Sequence, residues 1–267
     1  MKFRNKLLDI LRNSTMNSTN WLLASTILEK GPDIEKTSSK DLAAECHVSE
    51  ATISRFVRLL GCNNYIDFRN KAFLIRESND SQIFHSSKES LDLLKKKPDD
   101  YLNLYYSQIN ESLHSLIHSI NYEEIDNFLY QLHQKERVYI FSFSSSLMLA
   151  EIIQSNLINY GKIVLVGFNE VQQKDHLNNL KKDDLVITLS TFGNFIHEYS
   201  DISKLMAKKD CQKVLITQNP GLHETYYFDK VICLSDKNHV EAGFYTLFLG
   251  IEYMVRRYAS LFGSDAI

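Results

Sequence analysis

Proline and glycine are scarce: three and nine in 267 residues, too few for a collagen-like or proline-rich chain. The four cysteines, Cys46, Cys62, Cys211 and Cys233, form no CxxC pair and have no histidine cluster beside them. Zinc is therefore not expected, and four buried reduced thiols fit a cytosolic compartment. No apolar run approaches the ~18 residues a spanning helix needs. The nearest, Ala242–Val255, contains Glu252. The opening MKFRNKLLDILRN has no apolar core of a signal peptide, so the chain reads as cytoplasmic, with no membrane partner.

What remains is ordinary material for a packed core: 44% hydrophobic, 24% charged and 11% aromatic residues. At roughly 150 residues per domain the length suggests two domains. The net charge of −3 argues against a uniformly basic coat, but it is unevenly spread. Residues 1–77 hold 12 Lys/Arg against 9 Asp/Glu, and the remainder holds 18 against 24. A mildly basic front on an acidic body is the asymmetry expected if only the front meets nucleic acid.

Residues 1–77 read as short helices. Residues 17–29 place Trp21, Leu22, Ile27 and Leu28 at helical spacing, and Gly31-Pro32 stops that helix. Tyr65–Arg76, with Ile66, Phe68, Phe73 and Leu74, reads as another. Residues 78–100 are polar and read as a linker with room for one helical turn or more. Residues 101–134 return to helix in two pieces divided near Asn121. Five short β-rich runs follow: Arg137–Ser142, Ile163–Val166, Asp184–Ser190, Lys213–Thr217 and Lys230–Leu234. Helical patterns over Leu147–Tyr160, Phe195–Lys208, Leu222–Tyr227 and Glu241–Leu261 lie between or after them. Alternation of this kind predicts an α/β domain over 101–267 built on a five-stranded parallel sheet.

The most specific local pattern is SSKDLAAECHVSEATISRFVRLL, residues 38–60. Ser38 or Ser39 caps one short helix with Asp41 in its first turn, and Ser49 caps the next. Glu45-Cys46-His47-Val48 leaves room only for a tight turn. Leu42, Cys46, Val48, Ile53 and Phe56 point inward, and Ala43 and Ala44 let the helices approach. This is the requirement of a helix-turn-helix, in which a small core holds one helix proud of the surface. Ile53, Phe56, Val57 and Leu60 form the buried side of that helix. Glu50, Thr52, Ser54, Arg55 and Arg58 stay outside, suited to base edges and phosphates of double-stranded operator DNA. The hydroxyls of Ser38, Ser39 and Ser49 suit phosphates.

The segment DLAAECHVSEATISRFVRLLGCNNYIDFR, and VSEATISRFVRLLG above all, resembles the N-terminal domain of the RpiR family of bacterial transcription regulators. The family usually has glycine where His47 stands in the turn.

In an open parallel sheet, ligands bind beyond the carboxyl ends of the strands. The loops there are Ser142-Phe143-Ser144-Ser145-Ser146, Ser190-Thr191-Phe192-Gly193-Asn194 and Thr217-Gln218-Asn219-Pro220-Gly221. By spacing alone, their hydroxyls serve equally well as an anion cradle or as helix caps and turns. The element order over residues 105–260 resembles the sugar isomerase (SIS) domain that follows the helix-turn-helix in RpiR regulators. That resemblance implies a phosphosugar-type ligand near Ser142, Ser144, Ser145, Ser146, Ser190, Thr191, Gly193, Asn194 and Thr217. The sequence departs from the family at these loops. Ser142 and Ser144 replace two glycines, Phe192 and Phe195 replace hydroxyl residues, and Leu222 stands where a serine is usual. Ser146, Ser190, Gly193, Thr217 and Asp229 are kept.

His176, His197, His223 and His239 are scattered, and Glu198 and Glu241 are the available carboxylates. Nothing in the sequence fixes a nucleophile–base pair. The chain is therefore expected to be no enzyme and to need no cofactor: a ligand-responsive regulator acting as a homodimer or homotetramer. A phosphosugar isomerase with a DNA-binding appendage and a dimerisation scaffold with a dead ligand site are the alternatives.

Overall fold

The computed structural model describes residues 3–71 and 85–263, which fall into two compact units, Met1–Asn79 and Asp80–Ile267. The first is helical: α1 (Phe3–Asn13), α2 (Thr19–Lys30), a 3₁₀ turn over Gly31–Lys36, α3 (Ser39–Glu45), α4 (Glu50–Leu59) and α5 (Tyr65–Asn70). Its core gathers Phe3, Leu7, Leu23, Ile27, Ile34, Leu42, Ile53, Phe56 and Phe68. As expected, Gly31-Pro32 ends α2, and a separate 3₁₀ segment begins there. The glycine turns the chain at φ 56° and the proline sits in the first turn of the 3₁₀ segment. Of the expected helix Tyr65–Arg76, the described part ends at Asn70. Ile66 is exposed, and Phe73 and Leu74 lie outside the described residues.

The second unit continues with α6 (Lys88–Lys96), α7 (Pro98–Ser119), α8 (Tyr122–Gln134), β1 (Val138–Ser142), α9 (Ser146–Leu157), β2 (Val164–Val166), α10 (Glu170–Asn179), β3 (Leu185–Leu189), α11 (Asn194–Glu198), α12 (Ser200–Ala207), β4 (Gln212–Thr217), β5 (Lys230–Cys233) and α13 (Gly243–Phe262). The five strands pair in parallel in the order β2-β1-β3-β4-β5. Central strands β1 and β3 are buried along their whole length. One face, with Val138 and Ile140, joins the core of α8, α9 and α13. The alternate residues serve the other face: Tyr139 meets His176 of α10 and Phe141 meets Phe195 of α11. Parallel strands covered on both faces in this way must be apolar throughout.

Three expectations change. The stretch 78–100 is not wholly a linker, since from residue 85 on it belongs to the second unit. Helix α6 is capped by Ser87, and the Ser87 N–H and Ser90 hydroxyl both donate to Glu241, at 3.0 and 2.7 Å. The part over residues 78–84 lies outside the described residues. The single helix expected over Phe195–Lys208 is split at Tyr199, whose ring wedges edge-on against Phe143 and Phe195. Leu222–Tyr227 supplies only a 3₁₀ turn, Glu224–Tyr227.

Phe56 and Phe128 test whether the two cores hold separately, being 3% and 2% exposed in different units. Each alanine substitution should cost about 3–5 kcal/mol of its own unit's stability. Trp21, the lone tryptophan, lies in the first unit. In urea titrations Phe56→Ala should lower the midpoint of its fluorescence, whereas Phe128→Ala should move only the circular-dichroism transition of the second unit.

Candidate functional site

The turn between α3 and α4 is closed by backbone hydrogen bonds. Val48 N–H donates to Ala43 O at 2.9 Å and His47 N–H to Ala44 O at 3.2 Å. This is the paired pattern of a Schellman helix end, which needs a left-handed residue just past the helix. His47 takes that position at φ 53°, a conformation that histidine adopts more readily than most residues but less readily than glycine. Ala43 is buried under the turn, whereas Ala44 faces outward, so only the former lets the helices approach.

Helix α4 starts cleanly because the Ser49 hydroxyl accepts from Thr52 N–H, as Ser38 accepts from Asp41 N–H for α3. Ile53, Phe56, Val57 and Leu60 are buried and fix the rotation of α4. Glu50, Ser54, Arg55 and Arg58 consequently face solvent. Thr52 is half-buried, its hydroxyl engaged with Ser49 at 3.0 Å and with Arg55 at 3.4 Å. Ser39 is spent on a side-chain bond: its hydroxyl donates to Glu50 Oε2 at 2.7 Å.

At the carboxyl ends of the strands, β1 neighbours both β2 and β3, so the chain leaves adjacent strands toward opposite sides and opens a crevice there. The loops expected to meet do meet. Ser146 and Thr191 hydroxyls lie 3.2 Å apart, and the Thr217 hydroxyl donates to Thr191 O at 3.1 Å. The Ser190 hydroxyl accepts from Phe195 N–H at 3.2 Å. Ser146, Ser190, Thr191 and Thr217 are thus buried and internally bonded.

At the entry of α9, the N–H groups of Ser146, Leu147 and Met148 bond to Phe143, Ser144 and Ser145 carbonyls. Ser144, at φ 56°, takes a left-handed conformation where glycine is usual in the resembling family. Ser144, Ser145 and Asn194 are exposed. Gly193, at φ 87°, lies so close to Leu222 that a β-carbon there would overlap its side chain. Phe192 is covered by the His85 ring, centroid to centroid 4.2 Å. Asp229 sits at the other end of the sheet, where it binds Lys213 N–H ahead of β5.

Two wholly buried glutamines complete this edge: Gln173, which no sequence pattern singled out, and Gln218, which stands in the third of the strand-end loops. Gln173 Nε2 donates to Ser142 O and Gly167 O, and its Oε1 and the Ser142 hydroxyl have no hydrogen-bond partner among the described residues. Gln218 donates to Asn238 and accepts from His239 N–H. Its side chain lies where a β-carbon on Gly243 would fall.

The possible acid–base groups do not converge on a pair. His197 lies 3.7 Å from Glu224. One oxygen of Glu241 takes the α6 cap bonds, while its Oε2 is buried and unpartnered. Burial pushes the His85, His176 and His239 imidazoles below their ordinary value. Among the described residues no cluster of His, Cys, Asp or Glu could hold a metal ion, and no helix is long and apolar enough to cross a membrane.

A capped helix-turn-helix, joined in one chain to a five-stranded parallel α/β unit, has the fold of a helix-turn-helix domain followed by an SIS-like domain. Residues 6–80 match the helix-turn-helix domain of the rpiR family. It is 24% identical over 200 residues to an HTH-type transcriptional regulator of Providencia stuartii, covering 75% of this chain and 69% of that one. A similar regulator of Haemophilus influenzae is 22% identical over 222 residues, covering 80% and 74%. Among solved structures, NanR of Vibrio vulnificus complexed with ManNAc-6P shares the fold at TM-score 0.53 and 18% identity, covering 98% of this chain and 93% of that one. The sugar isomerase domain of an RpiR transcription factor from Sphaerobacter thermophilus matches at TM-score 0.53 and 14% identity, over 60% of this chain and 90% of that one.

The buried histidines set a pH dependence. Burial makes each take up its proton at lower pH in the fold than in the unfolded chain, where the ordinary value is 6.5. The unfolded state then binds more protons on the acid side, so stability rises with pH there. The second unit should hold full stability above about pH 6.5 and lose it progressively below. Urea midpoints between about pH 7.5 and 5.5 should fall, and His176→Phe should flatten the slope.

Proposed function

We propose that the first unit places α4 in the major groove of operator DNA and that the α/β unit binds a phosphosugar or related anionic metabolite at the strand ends. The chain then works as a homodimer or homotetramer in the cytoplasm. A metabolite that prefers one arrangement of the dimer biases the spacing of the two recognition helices, and with it operator affinity. The observation that carries the DNA reading is the fixed rotation of α4, which turns Arg55 and Arg58 outward on a buried rail of Ile53, Phe56, Val57 and Leu60. Oligomerisation is supported by apolar side chains left exposed on α7 and α13, among them Leu102, Tyr106, Tyr245 and Leu249.

The metabolite reading rests on the crevice beside β1 and on the bound ManNAc-6P of the Vibrio vulnificus neighbour. Ser146, Ser190, Thr191 and Thr217 are the groups that would turn toward a phosphate, exchanging internal hydrogen bonds for charged ones. Ser144, Ser145 and Asn194 stand at its rim. A binding role without turnover is favoured over the isomerase alternative because the histidines and carboxylates at hand are engaged separately: His197 with Glu224, Glu241 with Ser87 and Ser90.

Two outcomes follow. Arg55→Ala should cost roughly 1–3 kcal/mol of operator affinity with unchanged circular dichroism. The Arg55→Ala/Arg58→Ala protein should bind no better than non-specifically; unaltered affinity in that double mutant refutes the DNA reading. Calorimetry against a phosphosugar panel should show weaker binding for Ser146→Ala and Ser190→Ala, each by about 0.5–3 kcal/mol. Phe192→Ser, which uncovers the rim and restores a hydroxyl, should strengthen it.

A further inference from the structure

The negative charge at the start of the recognition helix needs an explanation. Glu50 is the first residue of α4 and is exposed. In the docked geometry the N-terminal residues of the second helix approach base edges and the flanking phosphates. A carboxylate there repels the phosphates and weakens binding to every sequence alike. In the first turn of α4 the carboxylate also favours the helix dipole, and a contact that one base offers and the others do not turns its remaining cost into discrimination.

The geometry points to such a contact. Glu50 is not a free rotor: its Oε2 accepts from the Ser39 hydroxyl at 2.7 Å, a bond from the first turn of α3 to the first turn of α4. That bond occupies one lone pair and holds the carboxylate beside the helix start. The Ser39 hydroxyl is in turn anchored, because Ser38 caps α3 through Asp41 N–H. Ser54, one turn along, and Arg58, one turn further, continue the exposed line that Glu50 begins, with Arg55 beside them. The face therefore runs from an acceptor-only end to a donor-only end.

An ionised carboxylate can only accept. In the major groove the amino group of cytosine, N4–H₂, is the partner for Glu, as the O6/N7 edge of guanine is for Arg. We propose that Glu50 is a specificity-determining residue that selects a C·G pair through the cytosine amino group, and that Ser39 is the positioning residue that aims it. This rests on the DNA-binding reading above. On it, Glu50 lowers affinity for DNA in general and raises discrimination at one pair in each half-site.

Selection from a random duplex pool at fixed salt, with the full chain, tests this. The wild-type protein should enrich a motif with a C·G pair at one position of each half-site. Glu50→Gln should move that position toward A·T, since the amide of Gln pairs with the adenine N6/N7 edge. Glu50→Ala should lose the preference there by about ten-fold, the scale of one base contact, and bind random DNA more tightly than wild type. Ser39→Ala should reduce discrimination at the same pair while leaving the preference at other positions as it was. That readout separates positioning from a merely structural role. If Glu50→Gln and Glu50→Ala enrich the wild-type motif with undiminished discrimination, the Glu50 assignment falls while the DNA reading stands. If the wild-type protein enriches no motif, both fall.

Discussion

Parallel pairing of β1 with β2 on one side and β3 on the other is the constraint from which the second unit takes its form. A parallel strand cannot be reached by a tight turn, so each connection crosses a face of the sheet, usually as a helix. The connections that leave the neighbouring strands β1 and β3, through α9 and through α11, take opposite faces, and their first residues part at the carboxyl edge. That parting is why Ser142–Ser146 and Ser190–Asn194, almost fifty positions apart, come close enough for Ser146 and Thr191 to share a hydrogen bond. It also explains why both faces are apolar: Val138 and Ile140 serve one layer of helices, Tyr139 and Phe141 the other.

The crevice so formed is lined by groups that satisfy one another. Thr217 donates to Thr191 O, Ser190 accepts from Phe195 N–H, and the α9 N–H groups are folded into a tight first turn. A ligand at this edge competes with hydrogen bonds already made, which costs more than filling an open cradle. Phe192 under His85, and Leu222 against Gly193, add apolar cover where the resembling family has hydroxyls. The exceptions are Ser142 Oγ and Gln173 Oε1, buried and without a partner among the described residues, on side chains joined through the Gln173 Nε2 bond to Ser142 O.

In the first unit the logic is local. Caps at Ser38 and Ser49, a left-handed residue at His47 and a four-residue rail on α4 define the helix pair within about two dozen residues, and Phe3, Leu7, Leu23 and Ile27 complete the core behind it. Local determination suits a module whose task is to present one helix in a fixed rotation. The second unit depends instead on contacts between residues far apart in the chain, such as Ser87 and Ser90 with Glu241.

This difference decides what was legible. The sequence by itself determined the helix-turn-helix, because capping, turn length and helical spacing act between neighbours. It determined the five strands too, since a strand buried on both faces must be an uninterrupted apolar run, as in DLVITLS. It gave no sign of α10, where EVQQKDHLNN buries a glutamine and leaves Val171 outside. It also misplaced residues 85–100, whose polar composition hides a helix fastened by Glu241. Only the tertiary structure decided how the site is filled. Whether a serine caps, bonds a neighbouring loop or faces a ligand depends on which strand lies beside it. That His85 covers Phe192, that Leu222 closes on Gly193 and that Ser39 holds Glu50 are facts of packing across the fold. No spacing in the chain encodes them, because each joins side chains whose separation only the folded backbone sets.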